Sequence, residues 1–148
     1  NITVELRPSA LDHLGFASAL RSQAAIFEKT YGAEIVFEGE LSTERFPQAL
    51  ETQAYRICQE AMLNACKYSD SDRIGVSIES AGGWLRVSVS DAGCGFDVEE
   101  PEIRGSGCGL PGMKERALLI GATLTIESGE EGTTVTLVAP MGTDEGAL

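Results

Sequence analysis

An acid, an amide and an amine lie at helical spacing near the middle of this 148-residue chain: Glu60, Asn64 and Lys67. Residues at positions i, i+4 and i+7 share one side of a helix. Two glycine-rich segments follow, at 91–95 and 105–109. A carboxylate, an amide oxygen and a cation on one wall, with backbone N–H groups of two loops opposite, suit a nucleotide with its magnesium ion. The order and spacing carry this prediction, because each motif alone is common.

Asp91 stands between a predicted strand and a tight turn that contains Gly93 and Gly95. A carboxylate at this place can accept a hydrogen bond from the exocyclic amine of adenine, whereas the carbonyl of guanine would repel it. Such a hydrogen bond to a charged group contributes about 1.5–3 kcal/mol. The alternative is that Asp91 accepts hydrogen bonds only from its own turn, and the short motif leaves both interpretations open.

The second glycine-rich segment contains Gly105, Gly107 and Gly109. Glycine lets the backbone approach phosphates closely, so that its N–H groups can serve as donors. Gly109 also precedes a predicted helix, whose N-terminus adds a positive partial charge. The segment lacks the preceding strand of a dinucleotide fingerprint and the Lys of a phosphate-binding loop. A flexible surface loop is the alternative interpretation.

The three side chains on the predicted helix have complementary chemistry. The amide oxygen of Asn64 is a hard ligand for Mg²⁺, which takes few protein ligands and keeps its waters. Glu60, one turn earlier, can accept a proton or orient a water or hydroxyl, and Lys67 can meet a phosphate as a point charge. The alternative is an exposed polar face of an ordinary helix.

Hydrophobic periodicity predicts the elements that position these residues. Apolar residues recur at helical spacing in two segments and alternate with polar residues in four others, and residues 33–37 are rich in β-forming residues. We expect helices at about 8–31, 46–67 and 111–120, and strands at about 33–37, 74–78, 85–89, 124–126 and 135–137. Gly32 and Gly121 close two of the helices, and Gly82-Gly83 predicts a hairpin turn.

The alternation in the strands predicts the fold class. One face of each strand is buried and the other is wetter, as in an antiparallel or mixed sheet. We therefore predict an α+β fold: a two-layer α/β sandwich with a mixed, mostly antiparallel sheet of about five strands and three helices on one face. Residues 1–140 form one domain in this prediction, and residues 141–148 form a disordered tail.

Charge and composition argue against several classes of partner. The formal net charge of −12 argues against nucleic acid, since phosphate backbones need a basic face. No long apolar run and no secretory signal occur in this piece, so we expect a cytoplasmic domain without membrane contact. The chain begins at Asn1 rather than Met, which keeps an upstream membrane anchor open. The four cysteines form no C-x-x-C pair, which disfavours zinc, and a redox pair of Cys94 and Cys108 is a minor alternative.

Several ordered motifs resemble those of one family. Residues 55–68 (YRICQEAMLNACKY) resemble the N box of sensor histidine kinases, and residues 91–96 (DAGCGF) resemble their G1 box. Residues 105–117 (GSGCGLPGMKERA) resemble their G2 box and the helix after it, and residues 132–135 resemble the closing G-T strand. Residues 6–15 also resemble the start of this domain in the nitrate/nitrite-sensor subfamily. The resemblance covers nearly the whole chain.

The resemblance implies the Bergerat ATP-binding fold and assigns the nucleotide contacts. It implies that Asp91 reads adenine, with Thr133 assisting through a water, and that residues 97–104 form a short ATP lid. The other nucleotide contacts that it implies are Gly93, Gly95, Gly105, Gly107, Gly109 and Leu110.

The resemblance also implies Asn64 on Mg²⁺, Lys67 near the phosphates and Glu60 as the catalytic acidic residue of a protein-histidine kinase in two-component signal transduction. ATP would donate its γ-phosphate to a histidine on a separate dimerisation domain of the same protein, with a response regulator as an indirect partner. His13 lies in the first helix of the ATP-binding domain, so we interpret it as an ordinary helix residue. The alternatives are an anti-sigma-type serine protein kinase with the same fold and a non-catalytic ATP-sensing module.

Overall fold

The computed structural model describes residues 9–38, 46–68, 73–81, 83–91, 110–129 and 132–140. Four helical segments and five strands lie in these ranges. In chain order they are α1 (Ser9–Leu14), α2 (Phe16–Tyr31), β1 (Glu34–Glu38), α3 (Gln48–Tyr68), β2 (Arg73–Ala81), β3 (Trp84–Asp91), α4 (Leu110–Leu119), β4 (Thr123–Gly129) and β5 (Gly132–Pro140). None of the described helices has both the length and the hydropathy that crossing a membrane requires. The tail predicted at 141–148 lies outside the described residues.

The first predicted helix is two helices in the structure, and Gly15 separates them. Gly15 has φ 85° and ψ 176°, a conformation that residues with a Cβ atom rarely adopt. The apolar periodicity continues across the break, because Leu11, Leu14 and Ala17 follow one another at intervals of three residues, and it therefore does not reveal the break. The predicted end of this segment is confirmed, since Gly32 has φ 76° and donates its N–H to the Glu28 carbonyl at 2.8 Å.

The five strands form one mixed sheet in the order β1-β2-β3-β5-β4. β1 pairs with β2 in parallel, and the pairs β2–β3, β3–β5 and β4–β5 are antiparallel. Ala81 pairs with Trp84 across the predicted two-residue turn, and Gly83 has φ 84°. Gly129 pairs with Gly132 where the last two strands connect. The predicted α+β fold with a mixed, mostly antiparallel sheet is confirmed.

One face of the sheet carries the core, and the helices pack on it. Buried apolar side chains alternate along three neighbouring strands: Ile74, Val76 and Ile78 in β2, Leu85, Val87 and Val89 in β3, and Val135 and Leu137 in β5. α3 packs across these strands, while α2 contacts β1 and α4 contacts β4. Full burial of one Leu or Ile side chain contributes about 1.5–3 kcal/mol. This layer therefore holds α3 firmly in place over the middle of the sheet.

A buried carboxylate fixes the start of α3. Glu51 is fully buried, and its Oε2 atom accepts a hydrogen bond from the Phe46 N–H at 3.0 Å. A negative charge in the first turn also suits the positive end of the helix dipole. The Phe46 ring meets the Phe16 ring edge-on, with centroids 6.2 Å apart. The start of α3 is thereby tied to α2.

Candidate functional site

The side of α3 that carries Glu60, Asn64 and Lys67 lies beside the core. Asn64 is 6 % exposed, Glu60 is half-buried and Lys67 is exposed. The adjacent stripe with Ile57 and Ala61 is buried in the core. The three polar groups therefore lie along the border between the core and the surface, and the middle one, Asn64, is the most buried.

Asn64 is one of the few polar side chains in the described part of the chain that are almost fully buried. Its Oδ1 atom is buried, and the described residues offer that atom no hydrogen-bond donor, although the residue makes another interaction. Buried polar atoms are normally satisfied by a donor, a water or an ion. A neutral amide oxygen is a ligand that a hard cation such as Mg²⁺ accepts.

The Glu60 carboxyl lies in a mixed environment. Burial raises its pKa, because the charged form loses hydration. The positive charges of Lys67 and Arg116 oppose this effect and lower the pKa, since they favour the carboxylate. Lys67 lies on α3 itself, whereas Arg116 lies on α4. A carboxyl whose pKa is raised on balance accepts a proton more readily than an exposed glutamate does.

Arg116 is a neighbour of the predicted site that the sequence reasoning did not single out. It is half-buried, and its Nη1 atom donates a hydrogen bond to Gln53 Oε1 at 3.0 Å. Gln53 lies seven residues before Glu60, on the same side of α3. Met113 and Ala117 on α4 are buried, so Arg116 lies next to the packed side of its helix. An arginine adjacent to the apolar stripe of a short helix was the signal available in the sequence.

Asp91 and Thr133 lie directly opposite each other at one end of the sheet. Asp91 is the last residue of β3 and pairs with Thr133 in β5, which in turn pairs with Ser128 in β4. Thr133 is 7 % exposed, and its Oγ1 atom lies 2.7 Å from Ser128 Oγ. Asp91 follows the buried Val89 by two positions, so its side chain leaves the sheet on the helix-covered face. A carboxylate and a hydroxyl therefore lie next to each other on that face.

The end of α3 and the Asp91–Thr133 pair lie at the same end of the two layers. Asp91 pairs with Ile74, which lies at the start of β2. α3 ends at Tyr68, and chain connectivity limits the Cα atoms of Tyr68 and Arg73 to about 18 Å apart at most. α3 also contacts β3 and β5 directly. The structure thus brings the last turns of α3 to the same end of the fold as the Asp91 carboxylate.

Several predicted site residues lie outside the described part of the chain. These are the glycines of both loops, Gly93, Gly95, Gly105, Gly107 and Gly109, together with the predicted lid at 97–104. Cys94 and Cys108 lie outside it as well. Leu110 is the first residue of α4, the helix that was predicted to follow the second glycine-rich segment.

His13 lies exposed on α1, apart from these groups in the sequence and on a different element. Its Nδ1 atom is 3.0 Å from the Ser9 carbonyl oxygen, one turn earlier in the same helix. When Nδ1 carries the proton, it donates this hydrogen bond within its own helix. The local geometry is that of an ordinary surface residue of a helix.

Comparison with known proteins identifies the family. The sequence matches the family described as histidine kinase-, DNA gyrase B- and HSP90-like ATPase over residues 49–143, which is more than half of the chain. The chain belongs to this ATPase family. ATP is therefore the nucleotide that family membership implies, and the matched range contains Glu60, Asn64, Asp91 and Thr133.

A sensor kinase is among the relatives of this ATPase domain. The oxygen sensor histidine kinase NreB of Staphylococcus carnosus is 43 % identical over 142 residues. This similarity covers 95 % of the present chain and 41 % of NreB. The chain thus spans about two fifths of the length of that relative.

Solved histidine kinase structures share the fold of the ATPase domain. The histidine kinase domain of the blue-light activated histidine kinase from Erythrobacter litoralis EL346 has a TM-score of 0.73 at 19 % identity, covering 85 % of this chain and 65 % of that one. The catalytic domain of the histidine kinase ThkA has a TM-score of 0.69 at 19 % identity, covering 84 % and 91 %. At these identities the likeness concerns the fold, and it agrees with the predicted architecture.

Proposed function

We propose that this chain is the ATP-binding catalytic domain of a sensor histidine kinase, and that it presents the γ-phosphate of Mg·ATP to a histidine on a separate dimerisation domain of the same protein. The observation that carries the proposal is the 43 % identity to a sensor histidine kinase across 95 % of the chain. This range includes the candidate site residues on α3, β3 and β5. The position and burial of those residues support the role that the proposal gives to each of them.

Adenine binds at the Asp91 end of the sheet in this proposal. The Asp91 carboxylate accepts a hydrogen bond from the exocyclic amine, and the adjacent Thr133 hydroxyl assists through a water. The Thr133 side chain is fixed by burial and by its contact with Ser128. A fixed hydroxyl can orient a bridging water with little loss of entropy.

Magnesium fits the residues on α3. Asn64 supplies a neutral oxygen at the middle of the polar stripe, where the stripe is most buried, and Mg²⁺ needs few protein ligands because phosphates and waters complete its shell. When bound, the ion neutralises charge on the phosphates during transfer. Asn64 is the residue that would hold it. Lys67, exposed one turn later, would meet a phosphate as a point charge.

Glu60 handles the proton of the acceptor in this proposal, and the glycine-rich segments bind the phosphates. Glu60 accepts a proton from the attacking imidazole or orients that ring, a role that its raised pKa supports. The backbone N–H groups of Gly105, Gly107 and Gly109 and the N-terminus of α4, beginning at Leu110, would hold the phosphates. Gly93 and Gly95 would let the chain pass close to the nucleotide, and residues 97–104 would cover it as a lid.

The proposal also covers the bounds of the domain, its partner domains and its location in the cell. Residues 1–140 would form the catalytic domain, and its phosphate acceptor would be the dimerisation domain of the parent protein, with a response regulator downstream. We expect the domain to lie in the cytoplasm. Nothing in the structure favours the serine protein kinase or the ATP-sensing module over this assignment.

The test is transfer of labelled γ-phosphate from ATP within the parent protein, with Mg²⁺ and with a chelator. Magnesium-dependent label on a histidine outside the present chain is the expected result. Label on a serine of a separate protein would instead identify the serine kinase. ATP binding in a titration calorimeter without transfer to any histidine would identify the ATP-sensing module.

A further inference from the structure

Three polar side chains form one row across the end of the sheet that carries Asp91. Asp91 in β3 pairs with Thr133 in β5, and Thr133 pairs with Ser128 in β4. Thr133 precedes the buried Val135 by two positions, and Ser128 follows Ile126, which packs against the core, by two positions. All three side chains therefore leave the sheet on its helix-covered face, with neighbouring Cβ atoms about 4.5–5.5 Å apart. The Thr133 hydroxyl thus stands between a carboxylate and a second hydroxyl.

The two hydroxyls share a hydrogen bond whose direction matters for the site. Thr133 Oγ1 and Ser128 Oγ are 2.7 Å apart, the usual length of a hydrogen bond between hydroxyls. Because each hydroxyl carries one proton, one proton lies between the two oxygens and the other is left for a different acceptor. If Ser128 donates, Thr133 offers its proton to the site. If Thr133 donates, it offers only lone pairs.

The negative charge of Asp91 favours the first of these directions. A hydroxyl dipole orients in the field of a neighbouring charge, and its proton turns toward a carboxylate. Thr133 is the member of the row that stands next to Asp91, so its proton turns to that side and Ser128 supplies the proton between the oxygens. Successive hydrogen bonds that run in one direction also polarise and strengthen one another.

We propose that Ser128 is a positioning residue for base recognition: it donates to Thr133 and thereby turns the Thr133 proton toward the nucleotide. The inference rests on the proposed function, in which a water bridges Thr133 and adenine. A water that accepts from Thr133 keeps its own protons for other acceptors. N1 of adenine is an acceptor, whereas N1 of guanine carries a proton. Ser128 thus adds a second reading of the base to the one that Asp91 makes at the exocyclic group.

The experiment is titration calorimetry of this chain in Mg²⁺ with ATP and with 1-deaza-ATP, in which a C–H group replaces N1. Ser128→Ala should weaken ATP binding about three- to tenfold, the effect of one neutral hydrogen bond that has lost its orientation. Its affinity for 1-deaza-ATP should stay within about twofold of the wild type, because the analogue offers no acceptor to the water. Ser128→Thr keeps the hydroxyl and should bind ATP like the wild type.

A second pair of cross-strand hydroxyls supplies the matched control. Ser88 in β3 pairs with Thr136 in β5, and their hydroxyl oxygens are 3.5 Å apart. Ser88 lies between the buried Val87 and Val89, so its side chain leaves the opposite face of the sheet. Ser88→Ala removes the same group from the same kind of pair, and ATP affinity should not change.

A double-mutant cycle tests whether Ser128 acts through Thr133. Thr133→Val removes the Thr133 hydroxyl with little change of shape, and adding Ser128→Ala to it should cost no further ATP affinity. Additive losses would overturn the inference, and so would an ATP affinity in Ser128→Ala equal to that in Ser88→Ala. Equal losses for ATP and 1-deaza-ATP would also overturn it, because a folding defect or a merely structural role affects both nucleotides alike. These outcomes leave the proposed function intact, whereas a wild-type chain that binds no ATP would refute that function and the inference with it.

Discussion

Asp91 and Thr133 are direct partners across the β3–β5 pair, at the end of the sheet where α3 finishes. Two side chains of different hydrogen-bonding capacity therefore lie next to each other: the carboxylate only accepts hydrogen bonds, whereas the hydroxyl both donates and accepts them. The contact of 2.7 Å between Thr133 Oγ1 and Ser128 Oγ fixes the hydroxyl from its other side. This arrangement offers one acceptor to an exocyclic amine and one partner to a bridging water, which is the basis for adenine recognition in our account.

Asp91→Asn should weaken ATP binding about ten- to a hundredfold and reduce the discrimination against GTP. The reason is the loss of a hydrogen bond to a charged group, which contributes about 1.5–3 kcal/mol. Titration calorimetry of this chain with ATP and with GTP measures both effects. Ser90→Ala is the control, because Ser90 precedes Asp91 and its side chain leaves the opposite face of the strand. Equal ATP affinity in Asp91→Asn and Ser90→Ala would exclude the role of Asp91.

Asn64→Ala should abolish the part of ATP binding that depends on magnesium, together with phosphotransfer. The substitution removes the proposed metal ligand, while the adenine contacts remain. Titration of the wild type and of Asn64→Ala with ATP, in Mg²⁺ and in a chelator, measures how much of the affinity depends on magnesium. In the chelator, the wild type and the variant should bind ATP equally well. Asn64 is buried, so thermal unfolding without nucleotide must show that the variant folds. Unchanged autokinase activity in the parent protein would rule out this role.

Glu60→Gln should lower kcat about a hundredfold or more while the affinity for ATP changes little, because general-base catalysis contributes about 10²–10⁴-fold. The pKa of Glu60 is raised by burial, against the charges of Lys67 and Arg116. Since the ionised form accepts the proton, wild-type kcat should fall as the pH drops through a value above the ordinary range of glutamate. The acidic limb of the pH profile should be absent in Glu60→Gln. An identical limb in both proteins would show that another group titrates.

Cys58 should resist alkylation as long as the domain is folded. It is 2 % exposed, and burial raises the pKa of its thiol to about 12. At pH 8 only about one molecule in ten thousand then carries the thiolate, which is the reactive form. Cys66 is partly exposed, with a pKa raised by burial and by Glu28, so it should react slowly but measurably. Peptide mapping after iodoacetamide treatment, with and without urea, measures both, and rapid native labelling of Cys58 would contradict the packing of α3.

The strands were predictable from the sequence, but their order was not. Alternation along 85–89 and 135–137 depends only on nearby residues, because one face of each strand is buried. The adjacency of β3 and β5 depends on long-range pairing that periodicity does not encode. That adjacency is what sets Thr133 opposite Asp91. From the sequence, the role of Thr133 was implied only by resemblance to a family.

The helices show the same division between local and long-range information. Gly32 marks the end of α2 because a glycine stop is a local signal. The break at Gly15 was missed, since buried residues lie at helical spacing on both sides of it. The electrostatic link between Glu60 and Arg116 was missed for a different reason: it joins α3 to α4, and helical spacing relates residues only within one helix.

The chemical nature of the phosphoryl linkage tests the central claim most directly. The parent protein is incubated with Mg²⁺ and ATP labelled in the γ-phosphate, and the labelled protein is then treated separately with acid and with alkali. Our account predicts a label that acid removes and alkali leaves in place, as for phosphohistidine, located outside the present chain and lost in Asn64→Ala. A label that survives acid and is released by alkali, as for phosphoserine, would contradict it, and so would label on His13.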